Sequence, residues 1–552
     1  MRYFPVRQGC LVSLVVACAC IVPVATASAQ SLNHSIDAME AGDFQRAFSI
    51  LRQLEQAGDP YARQMMDDVF YSSGAAIAPP QPAPGVAPAP QEAPQPAAMV
   101  APPERPDLSP LNSPRPLARR ATPQALAEGF ALPAALDPDA FRALDESLAR
   151  IGRDLFFDPI LSGNKDVSCG TCHMPAMASG DGVSLGLGTG AVGLGVERRA
   201  DGPNAATRRI PRNAPALWNL GARDLRVIFR DGRVEPDPDD PDRFLTPQGP
   251  LDYMDLNSVL AAQALFPPTS AEEMAGQPGE NEIADAASAD LIHGDEGAWG
   301  LLAARVDGIA AYHDAFNAYR GADAPVRIDE IANALAAFIE WEFRAIDTPF
   351  DRYLREEAAL ESVAGLGMQL FYGKAGCAGC HSGPLLSDQD FHAMGQPPIG
   401  PGRQQGEDGY SRDIGRAAVT QMPEDLYAFR TPMLRNVAVT GPWGHTGAFS
   451  ELRDFLDHHI DPAAGLARYE PQAVLPMLED AADDFDRLAN ETLMSEIRAA
   501  AARAMAQRPL VMLDADEVDF LIAFLHALTD EAALDGRMGA PDSVPSGLAL
   551  AH

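Results

Sequence analysis

Three stretches of the chain space their apolar residues as helices do. Residues 33–73 place Phe44, Phe48 and Leu51 on one face. The run IDEIANALAAFIEWEF lines up Ile331, Leu335, Phe338 and Ile339, and DADEVDFLIAFLHAL lines up Val518, Leu521, Ile522 and Leu525. A fourth apolar run, Leu11 to about Val24, is continuous rather than periodic and too short for an ordinary spanning helix. It follows Arg2 and Arg7 and is closed by ASA before Gln30, the pattern of a cleaved export signal over residues 1–29. The cysteine ending VVAC, Cys18, leaves a lipid-anchored form as the alternative.

The polar and Pro-rich intervals divide what remains. Residues 30–77 form a small helical segment with the look of one tetratricopeptide-like unit, which cannot stack into a solenoid alone. Residues 78–120 are a Pro/Ala-rich linker, extended and semi-rigid because proline removes donors and fixes the backbone. The body, about 130 to 530, carries a degenerate internal repeat. Gly152, Leu155, Phe156 and Phe157 in the first copy match Gly367, Leu370, Phe371 and Tyr372 in the second. Each copy then runs into a cysteine pentad and ends in one of the periodic helices. The pattern predicts a mainly α body of two domains, 130–345 and 346–530, with long loops at 266–298 and 383–425 and a flexible tail over 531–552.

Charge and cysteine usage narrow the chemistry. A formal net charge of -35 disfavours nucleic acid and anionic membranes and suits a basic partner. Of seven cysteines, three lie in the presumed signal. The other four are all in two pentads, CGTCH at 169–173 and CAGCH at 377–381. An exported chain with no further thiols has no disulfide framework, so these cysteines have a local task.

Two thiols three residues apart can each form a thioether with a vinyl group of one haem, and the adjacent histidine can ligate its iron. A redox dithiol would explain neither His173 and His381 nor the repetition. A four-cysteine zinc site would leave both histidines idle. The sequence therefore predicts two covalently bound haem c groups, on Cys169, Cys172 and His173 and on Cys377, Cys380 and His381. Such a chain is an electron carrier if both irons are capped on both faces, and capable of peroxide chemistry if one face is open beside an acid/base group.

The separated motifs LFFDPILSG, RNAPALWN, FRDGR, AEEM, PMLRNVAVTGPWGHTGAF and AFLHAL, with the pentads, resemble the bacterial di-haem cytochrome c peroxidase and MauG family over about residues 130–530. The resemblance implies two cytochrome c-like haem domains, an N-terminal peroxidatic one and a C-terminal electron-transfer one. It implies hydrogen peroxide as substrate and a small periplasmic cytochrome c or cupredoxin as donor. A MauG-like enzyme would instead oxidise a protein substrate. A homodimer, a protein contact by the N-terminal segment and a periplasmic location fit the same picture.

Residue by residue, His173 resembles the proximal ligand of the peroxidatic haem. Glu273 resembles the acid/base carboxylate above it, with Glu272 as the neighbouring register. His381 resembles the proximal ligand of the relay haem. Its far-side ligand in the family, Met or Tyr, falls here on His459, with His458 adjacent as competitor. Asn213, Thr440 and Pro442 match a calcium site between the domains, although Asn213 also reads as a turn residue. Two departures stand out. Arg230 occupies the place of an aromatic residue between the haems, a role that nearby Trp218 does not inherit. The loop DGVSLGLGTGAVGLGVERRADG lacks the switchable histidine of classical members, which implies a first haem open without reductive activation.

Overall fold

Gly152 and Gly367 are repeated because each lies where two helices cross too closely for a side chain. In the computed structural model, a Cβ on Gly152 would stand 1.8 Å from the Ala334 carbonyl oxygen, and one on Gly367 would stand 1.8 Å from that of Phe520. The first crossing joins α1, Glu146–Phe157, to a long helix over Ile328–Glu342. The second joins a helix over Ser362–Tyr372 to one over Ala515–His526. The structure describes residues 129–550 apart from 407, 480–483 and 507–510. The expected signal, helical segment and linker lie outside the described residues.

In chain order the elements that build the site are α1, α2 (Cys169–Cys172), α3 (Ile328–Glu342), α4 (Ser362–Tyr372), α5 (Leu452–Ile460) and α6 (Ala515–His526). Local chemistry starts them well. Asp145 caps α1 by accepting the Leu148 N–H at 3.0 Å, and Asp514 with Glu517 forms a capping box on α6. The aromatic pair after each repeated glycine packs into the partner helix. Phe156 meets Phe338 at a ring separation of 5.0 Å, and Phe371 meets Phe524 at 5.2 Å. Each fully buried aromatic of this kind contributes about 1.5–3 kcal/mol.

The described residues are mainly helical, with strand content limited to two-stranded antiparallel ribbons and isolated bridges. The longest strand is Asp240–Leu245, paired with Glu235–Asp237. One large apolar core surrounds α1 and α3, and a second surrounds α4 and α6. The 383–425 stretch is loop, interrupted by short strands and a helix over Ala417–Thr420.

Two stretches differ from the sequence reading. Within 266–298 the chain forms a helix over Glu282–Ser288, capped by Asn281, whose Ile283 and Ala286 reach the first core. Residues 531–550, expected as a flexible tail, pack on the first core. Glu342 accepts the backbone N–H groups of Arg537, Met538 and Gly539, and Ser546 Oγ donates to Asp158 at 2.6 Å. These backbone anchors are invisible to a reading based on apolar periodicity.

The chain before residue 345 meets the chain after it across a charged joint. Arg212 forks onto Asp413 at 2.6 and 2.7 Å and reaches Asp231 at 2.8 Å; Arg416 holds Glu235 at 2.9 Å. Ser184 Oγ donates to the Gly447 carbonyl at 2.6 Å.

Candidate functional site

The first pentad begins as one helical turn, α2, which brings the two free thiols, three residues apart, to one side. Gly170 lies on the Phe157 ring, where a Cβ would come within 2.5 Å of it, so the turn sits directly on the first core. His173 closes the turn, its N–H donating to the Cys169 carbonyl at 2.9 Å. Its ring Nδ1 lies 3.1 Å from the Ser179 carbonyl oxygen, an acceptor only, so Nδ1 carries the proton and Nε2 keeps its lone pair. The loop presenting that carbonyl is pinned: Ser179 Oγ accepts the Leu217 N–H at 2.9 Å, and Trp218 Nε1 donates to the Ala178 carbonyl at 2.9 Å. Trp218 is thus a buried strut beneath the first pentad. Burial lowers the His173 pKa below 6.5, which keeps the imidazole neutral.

The second pentad repeats this device with different local structure. Cys377–Gly379 is a 3₁₀ turn, the His381 N–H donates to the Cys377 carbonyl at 3.0 Å, and His381 Nδ1 lies 3.1 Å from the Leu386 carbonyl oxygen. Burial lowers the His381 pKa to about 4. In both pentads, then, two thiols precede a neutral imidazole whose Nδ1 is held by a carbonyl. That arrangement orients a histidine as a metal ligand, and it fits haem on both sites.

Beyond the pentads the two regions diverge. Near the first, Ala271–Ala275 forms a single π-turn, an irregularity frequent at functional sites. Its Glu272 faces Arg208, 3.5 Å away. Glu273 is half-buried, and burial raises its carboxyl above 4.5, opposed by the charges of Arg233 and Arg403. Burial, followed by charges that include Asp181 and Glu273, pushes the Cys172 thiol up to about 12. The glycine-rich loop runs against this turn, for Thr189 N–H donates to the Glu273 carbonyl at 3.0 Å and a Cβ on Gly188 would lie 2.3 Å from that oxygen. Arg198 holds the loop from inside, donating to the carbonyls of Leu187, Gly188 and Gly193 at 2.6, 2.7 and 2.9 Å.

Near the second pentad stand three histidines. His392 Nε2 lies 3.0 Å from Asp388 Oδ2, and hydrogen bonds to Asp388 and Cys380 raise its pKa to about 9. His458 and His459 are neighbours on α5 but face different ways. Leu452, Leu456 and His459 fall at i, i+4 and i+7, one stripe of the helix, and both leucines pack against the core around the second pentad. His458 is turned off that stripe. Its ring lies 5.0 Å from Phe449, and its Nε2 is 2.9 Å from the Met394 carbonyl.

At the joint, Asn213 is tied to the 445–447 segment, its backbone N–H donating to the His445 carbonyl at 2.9 Å. Its Nδ2 donates to the Val183 carbonyl at 2.9 Å, and its Oδ1 accepts Arg230 Nη2 at 3.0 Å. Thr440 and Pro442 lie a few residues before His445, and the Thr440 hydroxyl donates to the Val437 carbonyl at 3.2 Å. Sequence reasoning missed the Asp388–His392 pair and the Arg212–Asp413 fork. Arg212 stands in the quoted RNAPALWN motif, but its partner is 201 positions away.

A family model described as di-haem cytochrome c peroxidase matches residues 146–359. The cytochrome-c peroxidase IdrP1 of Denitromonas iodatirespirans is 31% identical over 327 residues, covering 55% of this chain and 70% of that protein. The methylamine utilization protein MauG of Methylorubrum extorquens is 29% identical over 343 residues, 61% of this chain and 75% of that one. Among solved structures, a MauG-like protein associated with microbial copper homeostasis matches with a TM-score of 0.47 and 25% identity, over 74% of this chain and 95% of that chain.

Proposed function

The chain belongs to the di-haem cytochrome c peroxidase and MauG family and is a peroxidase of that type, and from that premise we propose how its own residues divide the work. Cys169, Cys172 and the Nε2 of His173 hold the peroxidatic haem in a domain of about 130–345. Cys377, Cys380 and the Nε2 of His381 hold the relay haem in a domain of about 346–530. When bound, haem supplies an iron that takes up peroxide at one site and passes electrons at the other.

Glu273 is the acid/base of the first site. A half-buried carboxylate can take the proton from one peroxide oxygen and deliver it to the other, which makes the departing oxygen a better leaving group. Burial raises its pKa above 4.5, which makes the carboxylate a stronger base, and the charges of Arg233 and Arg403 oppose that rise. Glu272 is committed to Arg208 instead. The chain has no histidine between His173 and His293, so the glycine-rich loop carries no imidazole to cap the first site. Arg198 donates to three carbonyls of that loop and fixes it as a wall.

His459 would hold the second haem together with His381. It shares the α5 stripe with Leu452 and Leu456, which face that site, whereas His458 Nε2 is engaged by Met394. Two nitrogen ligands would close the second site to peroxide and suit it to electron relay. The donor is a small periplasmic cytochrome c or cupredoxin, and the acidic chain suits a basic one. A second reading, peroxide-dependent oxidation of a protein substrate as in MauG, is favoured by the same missing histidine.

The contrast between a first site with one protein ligand and a second with two carries the reading. Peroxide titration of the as-isolated and reduced holoprotein, followed by optical and EPR spectra, tests it. A high-spin ferric signal beside a low-spin one is expected, the first responding to peroxide. H459A should convert the low-spin signal and H458A should spare it. Two low-spin haems in every redox state, inert to peroxide, would refute the assignment. Turnover with a reduced cytochrome, against oxidation of a co-purified protein, separates the two readings.

A further inference from the structure

The calcium ion expected between the domains does not fit the residues that occupy its place. Of the matched positions, Asn213 is the one that would offer a side-chain oxygen, and that oxygen already accepts a hydrogen bond from the Arg230 guanidinium at 3.0 Å. A calcium–oxygen bond of about 2.5 Å from the same atom would bring a divalent cation within about 5.5 Å of a guanidinium nitrogen, in a half-buried setting where charge is poorly screened. The surroundings deepen the conflict. Arg212 and Arg430 are close enough for their charge to act on Arg230. The carboxylate of Asp413 is already forked by Arg212, and that of Asp231 is shared among Arg212, Arg233 and Arg403. Among the described residues, the one cluster of three or more metal-apt His, Cys, Asp or Glu side chains is Cys380, Asp388 and His392, not this one.

We propose that the Arg230 guanidinium replaces the interdomain calcium ion: a covalently carried cation, hydrogen-bonded to Asn213, braces the residue whose backbone reaches across the joint and excludes a divalent metal. The geometry supports both halves of the role. Asn213 is fastened to the second region through the His445 carbonyl and to the first through Val183. The backbone carbonyl of Arg230 accepts the Arg430 N–H at 2.8 Å, so the residue is anchored on both sides of the joint. Its Nε is buried with no hydrogen-bond partner among the described residues, leaving donor capacity aimed into the joint. Arginine suits this position better than lysine because its planar fork bonds in fixed directions and stays charged when buried. The departure from an aromatic residue at position 230 and the mismatch with calcium are then one change.

The inference rests on the family reading, which supplied the expectation of calcium, and the test keeps the two apart. Full-length holoprotein is purified without added calcium, its two haems are counted, and its metal content is measured by elemental analysis. It is then incubated with EGTA and titrated with calcium and with terbium as a luminescent probe. No stoichiometric calcium, haem spectra unmoved by EGTA and no saturable terbium signal at this joint are expected. R230Q, which frees the Asn213 oxygen and removes the charge, should bind calcium at least about tenfold more tightly than the wild type; R230K should remain calcium-free. A wild-type protein holding one calcium whose removal changes the haem spectra would overturn the proposal, as would an R230Q holoprotein that takes up none. If R230Q does not retain both haems, the wild-type metal content decides alone. Peroxide reactivity is read on the same samples, so a calcium-loaded but reactive protein sinks this inference and leaves the peroxidase reading intact.

Discussion

The two pentad regions share a scaffold and differ in what is built over it. In each, a helix crosses another at a glycine, two aromatics follow, and an imidazole gives its Nδ1 proton to a loop carbonyl. Over the first stand a π-turn with Glu273 and a glycine loop held by Arg198. Over the second stand α5 with its histidines and the Asp388–His392 pair. Those features lie in the segments inserted between pentad and closing helix. A repeated frame presents a thiol pair and an oriented imidazole, and the insertions decide what is built around them.

The largest expected effect breaks the first region alone. E273Q should lower peroxide turnover by about 10²–10⁴-fold while leaving both haem spectra in place. The pH profile sharpens this. The proton-accepting form is the carboxylate, and burial raises its pKa, so wild-type kcat/KM should fall as pH drops through a value above 4.5. That limb should vanish in E273Q.

Cutting the joint is expected to cost less activity but considerable stability. D413N leaves the Arg212 fork half-filled and should destabilise the holoprotein by about 3–5 kcal/mol in chemical denaturation. Burial pushes Asp413 up, but Arg212 outweighs it and holds the group below 3.8. Its contribution is therefore complete above 3.8 and lost as pH falls through the depressed value, and D413N should lack that acid-dependent loss.

The shared frame is tested by symmetry. G152A and G367A each drive a methyl into a carbonyl 1.8 Å away and should each cost at least about 1–3 kcal/mol by thermal or chemical melting. Similar losses support equivalent crossings; a loss at one alone separates them. The smallest change is E272Q, which removes a partly exposed ion pair with Arg208 and should shift turnover less than about twofold, against the large effect next door.

The frame was legible in the sequence because its signals are local. A glycine, two aromatics and a pentad recur within about twenty positions, and α3 and α6 announce themselves by periodicity. The sequence offered His459 and His458 by resemblance alone; the stripe that sets His459 beside Leu452 and Leu456 came with the helix. The joint was not legible. Arg212 and Asp413 are ordinary charged residues until the fold brings them together, and nothing in FRDGR says that Arg230 will meet Asn213. The helix over Glu282–Ser288 was hidden by its brevity, with Asn281 as the one signal that could have found it.

The segment after α6 has a consequence for timing. Asp158, just past α1, receives the Tyr312 hydroxyl at 2.8 Å and the Ser546 hydroxyl at 2.6 Å, and Ser546 is 388 positions downstream. The half of the molecule that leads is therefore the last to be sealed: its aromatic core lacks this strap until the trailing end of the chain has arrived.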